Sequence, residues 1–232
     1  IRLLVSVLPG VYWGGKYVVS DTVNNAIIAL NSNGDFVKEI VLDIEKNSFQ
    51  NFEWDYLHDK YYISTYGCDN RIGTTLIEDK GPILCKFNNV GASEWIKSGS
   101  SSCTSPFPYS FVGLNKVCNG SLYVAFYAQA GAVFDGYTFI NDSNKGTTAV
   151  IIKYDKDGNR SWAFNSKQGY PGSLFYAVSE DKVGVFGSMN VHSSPYIKWA
   201  DGYEVGRSFK SSGNPFKDSF NLGTFFITVD DN

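Results

Sequence analysis

The chain has 232 residues, of which 43% are hydrophobic and 19% charged, with a net charge of −3. That balance suits a packed globular chain and excludes disorder. The four arginines, Arg2, Arg71, Arg160 and Arg207, are scattered. The clustered basic footprint of a nucleic-acid surface is therefore missing, and no apolar run reaches the length of a membrane-spanning helix.

Strand patterning starts at once. Residues 1–7 alternate weakly through Leu3, Val5 and Val7, and Leu8-Pro9-Gly10 ends the strand, because Pro removes a ladder donor and Gly permits the turn. Further strands are predicted at 16–21, 25–30 and 36–42, the last two joined by an Asn33-Gly34 turn. The stretch 42–51 comes nearest to helical spacing, without sustaining it. Hairpins follow at 52–66 and 82–96. Beyond the Ser-rich loop 98–105 come strands at 109–113, 121–127 and 136–140. The clearest unit spans 146–187, where Val150, Ile152 and Tyr154 alternate, Asp157-Gly158 turns, and Trp162 and Phe164 return. Strands at 203–205 and 224–229 complete the pattern, so the chain reads as all-β.

Aligning the turn glycines exposes an internal repeat. Four residues before Gly34, Gly91 and Gly158 stand Leu30, Phe87 and Tyr154; two further back stand Ile28, Cys85 and Ile152. Phe225, Ile227 and Val229 form a fourth copy, and the anchors Leu30, Phe87, Tyr154 and Val229 are 57, 67 and 75 residues apart. Trp95 and Trp162 each lie four residues after their glycine. Short strands at 74–76, 137–139 and 203–205 lead into each new copy. A unit of about four short antiparallel strands cannot bury both faces alone, so stacking around an axis as a β-propeller is expected. The prediction is a single domain over 1–232, with repeat hairpins near 26–40, 83–96, 150–164 and 225–232. The termini are expected to share one blade and close a ring of about four blades; the alternative is an excerpt of a larger propeller.

The segment from Gly136 to Trp162, with GYTF leading into AVIIKYDKDGNRSW, resembles the bacterial β-propeller repeats of the SBBP type. The resemblance covers the other copies in outline. The first departs from it, having Lys38 where the tryptophan would stand, and Asn88-Asn89-Val90 replaces an Asp-rich turn in the second. The resemblance implies a propeller at or outside the cell surface and no catalytic residues, and function does not travel with a fold.

Four cysteines, Cys68, Cys85, Cys103 and Cys118, are spaced by 17, 18 and 15 residues. An even set suits two disulfides in any of three connectivities, whereas zinc would need short paired spacings. Sequons stand at Asn119, Asn141 and Asn159; with the cysteines they favour an oxidising, extracellular setting. The start at Ile1, without Met or a secretion signal, suggests a mature or excised segment.

Candidate chemistry is sparse. Asp155 and Asp157 offer oxygen ligands at alternate positions, as a calcium loop would. Their flanking Gly158 and Asn159 favour turn chemistry instead, and no metal or cofactor is expected. The spacing does not match a sialidase Asp-box. Glu53, Asp55, His58 and Asp59 form the densest titratable group and could serve a glycosidase, although turns attract charge because they are solvated. His192 has no partner at ligand spacing, and no nucleophile elbow is present. Aromatic residues in or beside long loops, Phe107, Tyr109, Phe134, Tyr137, Trp199 and Tyr203, could stack on sugar faces or anchor a protein; burial as blade packing competes.

The sequence thus points to a non-catalytic extracellular or surface β-propeller, acting as a structural, adhesive or binding module for protein or carbohydrate. The alternatives are a carbohydrate-active enzyme of propeller fold, glycosidase or sialidase-like, and a protomer of an extracellular filament or surface assembly.

Overall fold

A computed structural model describes the backbone of residues 1–7, 11–13, 16–18, 24–45, 49–67, 69–78, 81–100, 109–129, 131–140, 147–168, 171–178, 182–189, 196–199, 204–206 and 223–230. Side chains are described within 1–6, 25–45, 49, 51–67, 69–78, 81–99, 116–129, 131–140 and 148–166. The described residues are all-β and contain no helix; within the stretch 42–51, Leu42 ends one strand, 49–51 begin the next, and 46–48 lie outside the described residues. The chain divides into two compact units, residues 1–105 and 106–232.

The first unit holds β1 (Arg2–Val7), β2 (Val11–Trp13), β3 (Lys16–Val18), β4 (Asn24–Leu30), β5 (Phe36–Leu42), β6 (Phe49–Asp55), β7 (Lys60–Gly67), β8 (Asn70–Ile72), β9 (Thr75–Ile77), β10 (Gly81–Phe87) and β11 (Ser93–Ser100). The second holds β12 (Tyr109–Cys118), β13 (Ser121–Gln129), β14 (Val133–Phe134), β15 (Tyr137–Thr138), β16 (Thr147–Tyr154), β17 (Arg160–Gln168), β18 (Pro171–Val178), β19 (Lys182–Met189), β20 (Tyr196–Trp199), β21 (Glu204–Gly206) and β22 (Gly223–Asp230).

One antiparallel motif recurs through these strands. The orders are β1-β4-β5 in the first sheet, β6-β7-β10-β11 in the second, β12-β13-β16-β17 in the third and β18-β19-β22 in the fourth. Between the two inner strands of each sheet a short hairpin is inserted: β2–β3, β8–β9, β14–β15 and β20–β21. The short strands expected before each new copy are the second arms of these hairpins. In both units the inserted hairpin grips the outer strand of the preceding sheet. Ile72 bridges to Ile44, Glu45 N–H donates to Arg71 C=O, and Gly73 N–H donates to Asp43 C=O, the latter two at 2.9 Å. In the second unit β20 pairs with the end of β17. Among the described residues β1 pairs with β4, and β22 with β19.

The turns after β4, β10 and β16 are built alike. Asn31, Asn88 and Asp155 each accept two backbone N–H bonds on a side-chain oxygen, from residues two and four further on. Gly34, Gly91 and Gly158 then take φ of 86°, 88° and 82°, a left-handed conformation costly for other residues. Each turn follows a one-residue register shift, at Ala29/Leu30, Lys86/Phe87 and Lys153/Tyr154.

Apolar burial joins the two sheets of the first unit. Ile27 and Ile40 of the first sheet share a core with Tyr61, Ile63, Ile83, Cys85 and Phe87 of the second. Ile27 is the repeat equivalent of Leu84, and Cys85 that of Ile28, so the two faces that meet are non-equivalent. Ala26 and Ile28 lie on the other face of the first sheet, clustered with Leu3, Val5, Leu30 and Phe36. In the second unit Phe126 is buried against Phe134 and Phe139, with ring centroids 5.2 and 5.5 Å away.

Space distinguishes two of the turn glycines. A Cβ on Gly34 would meet nothing within 4 Å, whereas one on Gly91 would overlap the Val41 carbonyl oxygen. Gly34→Ala should therefore cost roughly 1–2 kcal/mol for its backbone alone. Gly91→Ala should cost clearly more, since strand β5 must also move. Equal shifts in denaturation midpoint would refute this reading of the turn.

Candidate functional site

The titratable cluster proposed from the sequence lies on the turn between β6 and β7. Asp55 is 4% exposed, and its carboxylate caps the turn by accepting the N–H groups of Leu57 and His58 at 3.2 and 3.3 Å. Its other oxygen lies 2.8 Å from His58 Nδ1. Tyr56 and Leu57 consequently project outward, 71% and 64% exposed. Asp59, at φ 48°, accepts bonds from the Trp54 indole and the Tyr61 hydroxyl at 3.3 and 3.1 Å. Burial raises the Asp59 pKa, but those bonds and the Lys38 and Arg2 charges outweigh it and leave the carboxyl below its ordinary range. Glu53 stands across from Tyr62.

Sequence reasoning missed Arg2 and Lys38. Both flank Ala29 in the first sheet, at the positions where the second and third sheets carry Tyr62–Lys86–Trp95 and Tyr123–Lys153–Trp162 in cross-strand rows. In those rows the two tryptophans rest on the tyrosines at 5.9 and 6.1 Å, and the lysine ammonium groups lie 5.8 and 5.5 Å from the same rings. In the first sheet the cations turn to the neighbouring sheet. The Arg2 guanidinium lies 4.3 Å above Trp54, and Lys38 Nζ is 3.7 Å from Asp59. The departure at Lys38 was visible in the sequence; its partner was not, because the partner belongs to a different repeat.

Lys86 is nearly buried and pairs at 3.1 Å with Glu94, which also bonds Lys60. Burial raises the Glu94 pKa, while the bonds from Lys60 and Lys86 prevail and lower it.

The aromatic candidates have different fates. Phe134 is wholly buried. Its strand is two residues long and ends in a tight Asp135-Gly136 turn, with φ 48° and 71°, which folds the ring inward. Tyr137 is half-buried, with Arg160 stacked 5.2 Å from its ring and its hydroxyl donating to Asn165 at 3.2 Å. Arg160 also donates to the Asp135 carbonyl at 2.8 Å. Tyr109 and Trp199 belong to β12 and β20, with side chains outside the described residues, and Phe107, Tyr203 and His192 lie outside them altogether.

Asp155 is the capping residue of its turn. Its carboxylate accepts the Asn159 side-chain amide at 3.0 Å in addition to the two backbone bonds, and the Asn159 bond is the first reason its pKa is lowered. Asp157 pairs with its neighbour Lys156 at 3.3 Å. No group of three or more His, Cys, Asp or Glu is placed to hold a metal ion among the described residues. Of the sequons, Asn119 is exposed in a turn at φ 48°, Asn159 is engaged with Asp155, and Asn141 lies outside the described residues. Cys85 and Cys118 are free thiols; Cys68 and Cys103 lie outside the described residues. Burial among apolar neighbours pushes the Cys85 thiol far up. No family model matches the chain, and no curated protein matches it.

Two predictions follow from these contacts. Asp155→Ala should lower stability by about 0.5–1 kcal/mol, a modest loss because the turn is exposed. Asp155→Asn should be nearly neutral, since Asn31 and Asn88 cap the equivalent turns. The lowered Asp155 pKa makes its contribution complete above the ordinary carboxylate range and lost as pH falls through the folded-state value. Denaturation across acid pH should show a larger loss in the native chain than in Asp155→Asn, which keeps only the losses from groups such as Asp59 and Glu94. For the thiols, Cys85 should resist alkylation in the native protein and react fully in denaturant without reductant. A requirement for reductant would show it disulfide-bonded.

Proposed function

We propose that the chain is a non-catalytic β-propeller module at the cell surface or outside the cell, structural, adhesive or binding in role. The observation that carries this reading is the meeting of non-equivalent faces in the first unit. Ile27 of one sheet packs with Cys85 of the next, although Cys85 corresponds to Ile28. A contact between unlike faces, repeated, turns each sheet relative to the last and generates rotation about an axis. A contact between like faces would stop at a pair. Rotation is the arrangement of propeller blades, whether the ring closes within four repeats or belongs to a larger one.

The polar groups support a binding role over a catalytic one. Asp55, Asp59 and Asp155 hold turns in shape, and Glu94 neutralises two lysines. What the turns present instead is apolar and aromatic: Tyr56, Leu57 and Val90 are exposed, and Tyr137 half-exposed under Arg160. Rigid tips bearing exposed rings suit contact with a protein or a sugar face. The extracellular setting is supported by the accessible Asn119 sequon.

The purified chain should leave a panel of glycosides intact. Hydrolysis that disappears in Glu53→Gln or Asp55→Asn would sink the reading and install the glycosidase alternative in its place.

A further inference from the structure

The hairpin between β6 and β7 is built to present its turn. Four residues, Tyr56 to Asp59, separate these strands, whereas Asn119 and Gly120 alone join β12 to β13, the corresponding strands of the third sheet. A longer turn leaves more backbone to hold, and Asp55 holds it. Its carboxylate is almost fully buried, takes the N–H groups of Leu57 and His58, and lies 2.8 Å from His58 Nδ1. A charge is buried only where hydrogen bonds replace its water, so this capping fixes the turn firmly. Yet the first two side chains of the turn, Tyr56 and Leu57, are large, apolar and exposed. Side chains so exposed add little to the stability of the fold.

Around Tyr56 a flat apolar surface adjoins fixed polar atoms. Trp54 meets the Tyr56 ring edge-on, with centroids 6.4 Å apart and planes at 70°. The Trp54 indole and the Tyr61 hydroxyl both donate to Asp59 Oδ1. Asp59 Oδ2 has Lys38 Nζ 3.7 Å away, too far for a hydrogen bond, and both side chains are well exposed. Burial raises the Asp59 pKa, but its bonds and the nearby cations prevail, so at neutral pH the group is an ionised acceptor. Oδ2 therefore keeps its capacity to take hydroxyl groups. In the same turn His58 directs Nδ1 to Asp55, which leaves Nε2 as a second polar atom on a half-exposed ring.

We propose that this tip is a saccharide-binding site, in which the Tyr56 ring stacks on the C–H face of an uncharged pyranose and Asp59 Oδ2 accepts its hydroxyl groups. An aromatic ring covers the apolar face of a sugar without orienting it; a fixed carboxylate beside the ring supplies the orientation. Size argues for a small ligand. A stable protein interface draws on about 20–30 residues a side, and this turn offers two exposed apolar side chains edged by His58, Asp59 and Lys38. Charge argues for an uncharged ligand, because Lys38 already has its countercharge in Asp59. This deepens the binding role proposed above and rests on it.

Titration of the full chain, followed by nuclear magnetic resonance, tests this with neutral oligosaccharides: α- and β-linked glucans, galactans, mannans and N-acetylglucosamine oligomers. At least one should shift the Tyr56, Leu57 and Asp59 signals, with an affinity that changes little with salt. Tyr56→Ala should weaken that binding about tenfold, the loss of one stacking contact. Tyr56→Phe should retain it, and Val90→Ala, at another exposed tip, should leave it unchanged. Tyr56 and Val90 are both highly exposed, so these variants keep the fold. Asp59→Asn should weaken binding of the same sugar with the Tyr56 shift retained. Three results overturn the proposal: no member of the panel binds, binding is undiminished in Tyr56→Ala, or only charged saccharides bind and raised salt releases them. Hydrolysis of a bound glycoside would remove the non-catalytic reading while leaving the sugar site standing. Failure of every sugar to bind would remove the site while leaving a structural or adhesive module.

Discussion

In each sheet the uninterrupted pairing of the two inner strands carries the load on which the other contacts rest. Because their register is unbroken, side chains alternate cleanly and give the first three sheets two apolar faces. Ile27 and Ile28, or Leu84 and Cys85, are adjacent in sequence and buried on opposite sides. Burying such a side chain contributes about 1.5–3 kcal/mol, and neither face can be left to water. A sheet of this kind cannot stand alone. It must be covered twice, which is why the chain repeats the unit and why the first unit stacks one sheet on another through unlike faces.

The outer strands serve a different purpose. Their register shifts interrupt the ladder, and charged groups form across outer strands, inner strands and turns alike. Lys60, Lys86 and Glu94 form one such group, and Arg2, Lys38 and Asp59 another. Of these residues, Asp59 belongs to the place where a catalytic constellation was sought. Each carboxylate is committed to a turn amide, an indole, a hydroxyl or a lysine, and the lowered pKa values of Asp59, Glu94 and Asp155 express that commitment. The exposed side chains at the turn tips are the surface that the proposed binding role would use.

The inserted hairpins explain how neighbouring sheets are held at a fixed spacing. Apolar faces slide easily, since hydrophobic attraction has no direction. Backbone bonds from Gly73 N–H to the Asp43 carbonyl and from Glu45 N–H to the Arg71 carbonyl do have direction, and they lock the second sheet to the end of β5. Gly91 sits against Val41 at the same end, with a backbone bond from Asp43 to its carbonyl at 3.2 Å. Shape and hydrogen bonding thus fix what apolar burial alone would leave loose.

Much of this was open to a reader of the sequence. Strand alternation, the turn glycines and the common column of Leu30, Phe87 and Tyr154 follow from local physics. A left-handed turn needs glycine, and a two-faced strand needs a period of two. The capping residues Asn31, Asn88 and Asp155 stood in the same column, and their short side chains bond the backbone two residues on. The short strands before each copy were legible, but not their first arms, which are two to four residues long and have no period to detect. Phe134 looked like a loop ring and is core, because two residues of strand do not reveal which way a ring turns. The grip of Ile72 on Ile44 and the pairing of Lys38 with Asp59 join residues 28 and 21 positions apart in the chain, and the faces that meet join residues farther apart still. Local sequence determined the strands, turns and period of this protein. Only tertiary structure decided which faces and edges are paired, because pairing depends on the partner that alternation leaves unspecified.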